Sequence, residues 1–341
     1  MAKAVKLADI AQKVGVSTVT VSKALSGQKG VSDEVRLRIQ RLAEEMGYVS
    51  LSVSKMQNTR KTYNIGVIIS ERYCDQRESF YWQMYQEVAT RAVTKESFTL
   101  LEILKFKDEN DLNMPKLLTE NKVDGLIIIG LLKEEYFHML IDNIRVPYVC
   151  LDFYDKKHEC DCVVTDNYYG MYKLTNYLFD MGHTKIAYVG TLCYTSSITD
   201  RYFGYHKSML EHGQKIPDEW VIDDRYFESG DRDEAFEFKI PEDNMPTAFV
   251  CNCDLTADVL IGVLREKGYE VPTDISIVGF DNYIIQNNAG FGITTYEVDV
   301  KEMVRNTIST LLKKVCGEHY KKGITTVEGR MVIKESVKDL R

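Results

Sequence analysis

Apolar positions between residues 7 and 25 recur at a helical period. Leu7, Ile10, Ala11 and Val14 mark one face of a short helix, and Val21, Ala24 and Leu25 mark a second. Gly15 supplies the turn between them, and Ser17 stands where a side-chain oxygen caps the second helix. Packing the two apolar faces together turns Thr18, Val19, Ser22 and Lys23 outward. That is a helix–turn–helix, whose second helix presents its first turns to base edges in a major groove. A third helix follows directly: Ser32 caps it, Asp33 and Glu34 suit its positive N-terminus, and Gly47 ends it after Met46.

Residues 48–62 are polar and poor in large apolar side chains, and read as a linker. The pattern then changes to short apolar runs at 65–69, 98–104, 125–129 and 148–151, separated by amphipathic stretches at 80–94, 109–121 and 133–143. Continuous apolar runs alternating with helices predict buried parallel strands. The alternation restarts with strands at 185–190, 247–251 and 275–279 and helices near 167–181, 199–212, 230–239, 254–268 and 300–316. The fold class is therefore α/β, with an N-terminal all-α helix–turn–helix domain and two doubly wound α/β subdomains. Strand C-termini of the two halves face a shared cleft, where ligands of open α/β sheets bind. The expected division is 1–47 for the helical head, 48–62 for a hinge and 63–341 for the core, whose halves run from about 63–162 and about 163–290.

Charge divides the chain in the same place. Residues 1–62 carry eleven Lys or Arg against five acids, whereas the whole chain is −8, leaving −14 on residues 63–341. A basic head on an acidic body is the electrostatic footprint of a nucleic-acid module joined to something that does not touch nucleic acid. Eight cysteines in 341 residues do not make a disulfide scaffold. Cys160 and Cys162, like Cys251 and Cys253, are one residue apart, closer than a zinc knuckle requires. His158 beside the first pair is a weak candidate, and no metal is assigned. No run approaches the roughly 18 apolar residues of a membrane span, and the first 25 residues are already the helical cassette and not a signal peptide, so a cytoplasmic location is expected. Neither a phosphate-cradling GxGxxG, a Walker sequence nor a GxSxG elbow is present, which argues against an enzyme and against a bound cofactor.

Several segments in fixed order resemble the lactose-repressor (LacI) family of bacterial transcription regulators. They are residues 7–26, Val31–Ser32, 45–48, Ile65–Val67, 123–127, ThrAspAsnTyrTyrGly at 165–170, MetGlyHisThrLysIleAla at 181–187, AspArgTyrPheGlyTyr at 200–205 and ValProThrAspIleSerIleValGlyPheAspAsn at 271–282. The resemblance spans nearly the whole chain. It implies a helix–turn–helix head, a hinge, and a core like a periplasmic sugar-binding protein, working as a homodimer on a pseudo-palindromic double-stranded DNA operator with a small effector in the cleft.

Position by position, the resemblance places base reading on Thr18, Val19 and Lys23 and phosphate contact on Ser17 and Ser22. Lys23 replaces a commoner arginine, so a bidentate contact to guanine becomes a single-point one. In the hinge, Ser50–Leu51 stand where the family has Pro-Asn, and Gln57, with Met56 beside it, occupies the position of a leucine that wedges into the minor groove. Effector contacts fall on Arg201 and Asp281, whose chemistry suits a polyol. Ser70, Phe80 and Tyr81 match pocket-lining positions, and Asp152 and Tyr226 are weaker candidates. Cys253 replaces a frequent asparagine. The expected function is a repressor of carbohydrate-utilisation genes whose operator affinity is set by a small sugar. The alternative is a regulator needing a corepressor, a purine or a carrier protein, to bind DNA.

Overall fold

The computed structural model describes residues 7–25, 30–46, 62–74, 79–227, 236–283 and 290–341, and the chain divides into two units, Met1–Thr62 and Tyr63–Arg341. In the first unit, helices α1 (Leu7–Val14), α2 (Thr18–Leu25) and α3 (Asp33–Glu45) pack on one another. Ile10, Ala11, Val21, Ala24, Ile39 and Ala43 form their buried core. Gly15 holds φ +77°, a left-handed turn that costs glycine nothing. Ser17 Oγ accepts from Thr20 N at 3.1 Å, the expected cap. Arg36 Nη1 donates to the Ala24 carbonyl at 3.1 Å, which places a cation on the negative end of α2. Gly47, the Ser50–Leu51 pair, Met56 and Gln57 lie outside the described residues.

The second unit contains two parallel sheets. The first joins β1 (Asn64–Ser70), β2 (Phe98–Leu104), β3 (Gly125–Ile129), β4 (Tyr148–Leu151), β5 (Cys162–Thr165) and β11 (Ile324–Val327) in the order β11-β5-β4-β3-β1-β2. The second joins β6 (Ile186–Val189), β7 (Val221–Ile222), β8 (Ala248–Cys251) and β9 (Ser276–Val278) in the order β7-β6-β8-β9. A short antiparallel pair, β10 (Thr295–Glu297) and β12 (Arg330–Val332), stands beside them. Strand order reverses between β1 and β3 and again between β6 and β8. At such switch points the connecting helices leave on opposite faces and open a crevice at the strand C-termini.

Helices α4 (Phe80–Val93), α5 (Phe106–Asn110), α6 (Lys116–Thr119) and α7 (Glu134–Asn143) connect strands of the first sheet. Helices α8 (Asn167–Asp180), α9 (Ser196–Glu211) and α10 (Asp254–Glu266) serve the second. The chain leaves the first sheet after β5, returns through α11 (Val300–Cys316), which packs on α4, β3, β4 and β5, adds β11, and leaves again through β12. Among the described residues, no helix is long and apolar enough to cross a membrane.

Two expected helices differ. The 109–121 stretch is two short helices, because Leu112 turns left-handed (φ 55°) and Pro115 restarts the chain as the cap of α6. The 230–239 helix is absent where it is described: residues 236–240 are irregular, with buried Phe238 edge-on to Phe236 at 5.3 Å, and 228–235 lie outside the described residues.

Candidate functional site

On α2 the burial pattern separates the two faces. Val21 and Ala24 are fully buried, while Ser17, Thr18, Val19, Ser22 and Lys23 are exposed, Val19 to 61%. Val19 and Lys23, one turn apart on this eight-residue helix, thus lie together on its outward face. Ser17 also caps its own helix, so its hydroxyl is held in place at the positive end of α2.

In the second unit, four of the seven expected effector residues, Tyr81, Asp152, Arg201 and Asp281, form one electrostatic cluster. Arg201, on α9, is only 5% exposed. Its Nε donates to Asn167 Oδ1 at 2.8 Å, Nη1 donates to the Asn252 carbonyl, and Nη2 lies 3.1 Å from Asp281 Oδ1. The Phe280 ring lies flat beneath it, 3.8 Å from guanidinium carbon to centroid. Asp152 follows β4 in a left-handed conformation (φ 69°), and its Oδ2 accepts from Tyr81 Oη at 3.1 Å. Asp281 is also left-handed (φ 98°), three residues beyond the end of β9. Aspartate tolerates this region better than most side chains, and such strained positions gather at ligand sites.

Burial dominates the electrostatics. It pushes the Asp152 carboxyl up to about 7, against the opposing pull of Arg201, with Asp281 adding to the rise. It pushes Asp281 up to about 6, again against Arg201. Asp152 Oδ1 is buried without a hydrogen-bond partner. A buried carboxylate oxygen with an open lone pair is a ready acceptor for a hydroxyl or N–H.

The sign of the pH effect follows. A raised carboxyl pKa means that the folded protein holds a proton which the unfolded chain releases from about pH 4 upward. Stability is therefore lost as pH rises through about 7. Asp152→Asn removes that loss. We expect the variant to melt several degrees above the wild type at about pH 8, with an advantage that shrinks below about pH 7 and is smaller, though not gone, at about pH 5. Thermal unfolding at the two pH values checks this, and an equal difference at both would contradict it.

The remaining residues lie elsewhere. Ser70, at the end of β1, is fully buried and donates to Glu109, which also pairs with Arg72 at 2.8 Å and accepts from Lys133 N at 2.8 Å. Phe80 sits in a chain of rings, 5.7 Å from Tyr81 and 6.1 Å from Tyr283, while Tyr73 lies 4.5 Å from Tyr81 with the two rings tilted by 49°. Gly130 makes room for this chain, since a Cβ there would meet the Tyr73 and Tyr81 rings at 3.0 and 3.2 Å. Tyr226 is at the surface, edge-on to Phe236 at 5.2 Å. Cys253 caps α10, its sulfur accepting from Thr256 N at 3.4 Å.

Sequence reasoning missed Asn167, Asn252 and Phe280. The first two orient Arg201, and Asn252 is itself held by Asp224 at 2.8 Å and the Val189 carbonyl at 3.1 Å. Their signal was present: Asn167 and Phe280 sit inside the quoted motifs, and Asn252 lies between the two cysteines weighed as metal ligands.

Residues 6–50 match a model of bacterial regulatory proteins of the lacI family, and 175–337 match a periplasmic binding protein-like domain. The HTH-type transcriptional repressor PurR of Aliivibrio salmonicida is 25% identical over 337 residues, covering 97% of this chain and 98% of the relative. The repressor of the same name from Pasteurella multocida is 27% identical over 333 residues, with 97% and 98% covered. Among solved structures, a complex of the transcriptional regulator CelR with cellobiose superposes with a TM-score of 0.69 at 21% identity, covering 97% of this chain and 99% of that one. The lac repressor dimer bound to operator and the anti-inducer ONPF gives 0.66 at 20% identity, covering 98% and 100%. These structural likenesses speak for the fold. The chain joins a DNA-binding domain of the lacI family of bacterial regulatory proteins to a periplasmic binding protein-like domain, and is a DNA-binding transcriptional regulator, not an enzyme.

Proposed function

We propose that this protein is a repressor whose affinity for a pseudo-palindromic operator is set by a small neutral polyol, a sugar or sugar derivative, held at the Arg201–Asp281–Asp152 cluster. The observation that carries this reading is the charge balance there: two buried carboxylates face one guanidinium, each of whose nitrogens already has a partner in Asn167, the Asn252 carbonyl or Asp281. An anionic ligand finds no spare cation in that cluster. A ligand rich in hydroxyl donors finds carboxylate acceptors, one of them Asp152 Oδ1. Cellobiose, in the CelR complex, is a ligand of this class.

In this reading residues 1–47 bind DNA, 48–62 form the hinge and 63–341 sense the ligand and dimerise, working in the cytoplasm. The outer strand β2 exposes Phe98, Leu100 and Ile103, and α10 exposes Leu255 and Val259. Apolar side chains on an uncovered edge strand suit pairing with a second copy. A twofold dimer sets two recognition helices one helical turn apart on DNA.

A second reading rests on the four-ring chain of Tyr73, Tyr81, Phe80 and Tyr283. Flat faces favour a planar nitrogen heterocycle such as a purine, which would then be required for DNA binding.

Operator selection from random DNA, followed by binding measurements across salt concentrations, tests the DNA-binding half. Lys23→Ala should weaken operator binding about tenfold or more and lower the steepness of its salt dependence. Unchanged affinity would remove Lys23 from the interface.

A further inference from the structure

Away from the cleft, one group of side chains has the geometry of a metal centre. We propose that His138, Asp155 and His158 bind a divalent transition-metal ion, with zinc the best fit to two imidazoles and a carboxylate.

Helix α7 carries His138, and the loop after β4 carries Asp155 and His158. His138 Nε2 lies 3.3 Å from Asp155 Oδ1, His158 Nδ1 lies 3.3 Å from Asp155 Oδ2, and a set of donor atoms from the three residues falls within 4.8 Å of one another. The His138 Nε2–Asp155 Oδ1 separation equals the edge of a tetrahedron with bonds of roughly 2.0–2.1 Å, which is about 3.3 Å. Side-chain exposures of 13%, 10% and 20% leave the donors reachable by an ion yet shielded from bulk water.

The surroundings are those of a built site. Asp155 Oδ2 accepts the backbone N–H of Lys157 at 2.8 Å and of His158 at 2.7 Å, which fixes the carboxylate and leaves Oδ1 for an ion. Asp142, one turn along α7 from His138, places Oδ1 3.4 Å from His158 Nε2. A ligating imidazole typically hands its other N–H to a carboxylate in this way, which sets the tautomer and strengthens the ligating nitrogen. Phe137 supplies an apolar wall, edge-on to His158 at 6.4 Å and to Phe153 at 5.4 Å. The arrangement is His138 Nε2, His158 Nδ1 and Asp155 Oδ1, with a fourth position for water.

Such an ion pins a loop that matters. Between Asp152 and Asp155 lies Tyr154, whose hydroxyl donates to Asp200 on α9 at 2.9 Å, beside Arg201. Metal binding therefore stiffens the segment that carries one cleft carboxylate and bridges to the helix carrying the cleft guanidinium. The proposal does not depend on the ligand assigned to the cleft.

The test uses full-length protein stripped with a chelator and titrated with zinc alone against a chromophoric competitor. We expect one high-affinity ion per chain and a rise in melting temperature on zinc addition. His138→Ala and His158→Ala should each weaken binding at least about 100-fold, and Asp142→Asn about tenfold. Cobalt substitution distinguishes this centre from the thiols: the spectrum should lack thiolate-to-cobalt charge-transfer absorption. Zinc binding unchanged in the histidine variants, a thiolate band, or no stoichiometric binding would each overturn the proposal. Asp142→Asn alters an exposed side chain, so its effect can be read even if a histidine variant fails to fold.

Discussion

Replacing Arg201 with leucine is expected to abolish the response of DNA binding to ligand and to destabilise the second unit by about 3–5 kcal/mol. The size follows from what the guanidinium leaves behind. Asn167 Oδ1 and the Asn252 carbonyl lose their donors, and Asp281 loses its ion-pair partner in a buried setting. Asp152 and Asp281 are both held down by Arg201 against strong desolvation, so without it each protonates at still higher pH. Arg201→Lys does not restore the site. One ammonium cannot reach Asn167, Asn252 and Asp281 at once while lying flat on Phe280. Urea unfolding of both variants measures the loss, and a leucine variant as stable as the wild type would show that the ion pair is dispensable.

A second large effect is expected one turn along the same helix. In Gly204→Ala the new Cβ would lie 2.1 Å from the Tyr168 carbonyl oxygen and 2.9 Å from Tyr172 N, both backbone atoms of α8. Alanine is the better helix former by about 1 kcal/mol, but this gain is outweighed, because α8 and α9 must move apart over an extensive contact. We expect a loss of about 3 kcal/mol, with Arg201 displaced along with α9. Gly262 on α10 is the control. Nothing lies within 4 Å of its Cβ position, so Gly262→Ala should stabilise by up to about 1 kcal/mol. If Gly204→Ala behaved like Gly262→Ala, the close approach of the two helices would be wrong.

The parts legible in the sequence were those whose information is local. The helix–turn–helix needs only a period of apolar residues, one glycine and one capping serine, all within 19 consecutive residues. Central strands such as β1 and β3 are buried on both faces and therefore read as unbroken apolar runs. Two edge strands carry no such run: β7 has two residues, and β11 is Ile-Thr-Thr-Val with an exposed isoleucine. The addition of β11 to the first sheet depends on residues 162–165 and 324–327 meeting across the chain, which no local window reports. The site divides along the same line. Arg201 and Asp281 lie in recognisable motifs, whereas the partners of His158 do not. The sequence pointed to nearby Cys160 and Cys162, while the fold supplies His138 from a helix twenty residues earlier. Ser70, expected at the ligand from its place at the end of β1, donates its hydroxyl to Glu109, a partner thirty-nine residues away that no local window reports.

The most direct test of the account is operator affinity measured on wild-type protein and Arg201→Leu, without ligand and across a panel of neutral sugars and purines. The account predicts that the free wild type binds its operator and that at least one neutral sugar weakens this about tenfold or more. By linkage, that factor equals the ligand's preference for the non-binding state. The leucine variant should bind DNA and ignore every ligand. Binding that appears only with a purine would replace induction by corepression. An operator affinity that no member of the panel alters in the wild type would contradict the central claim.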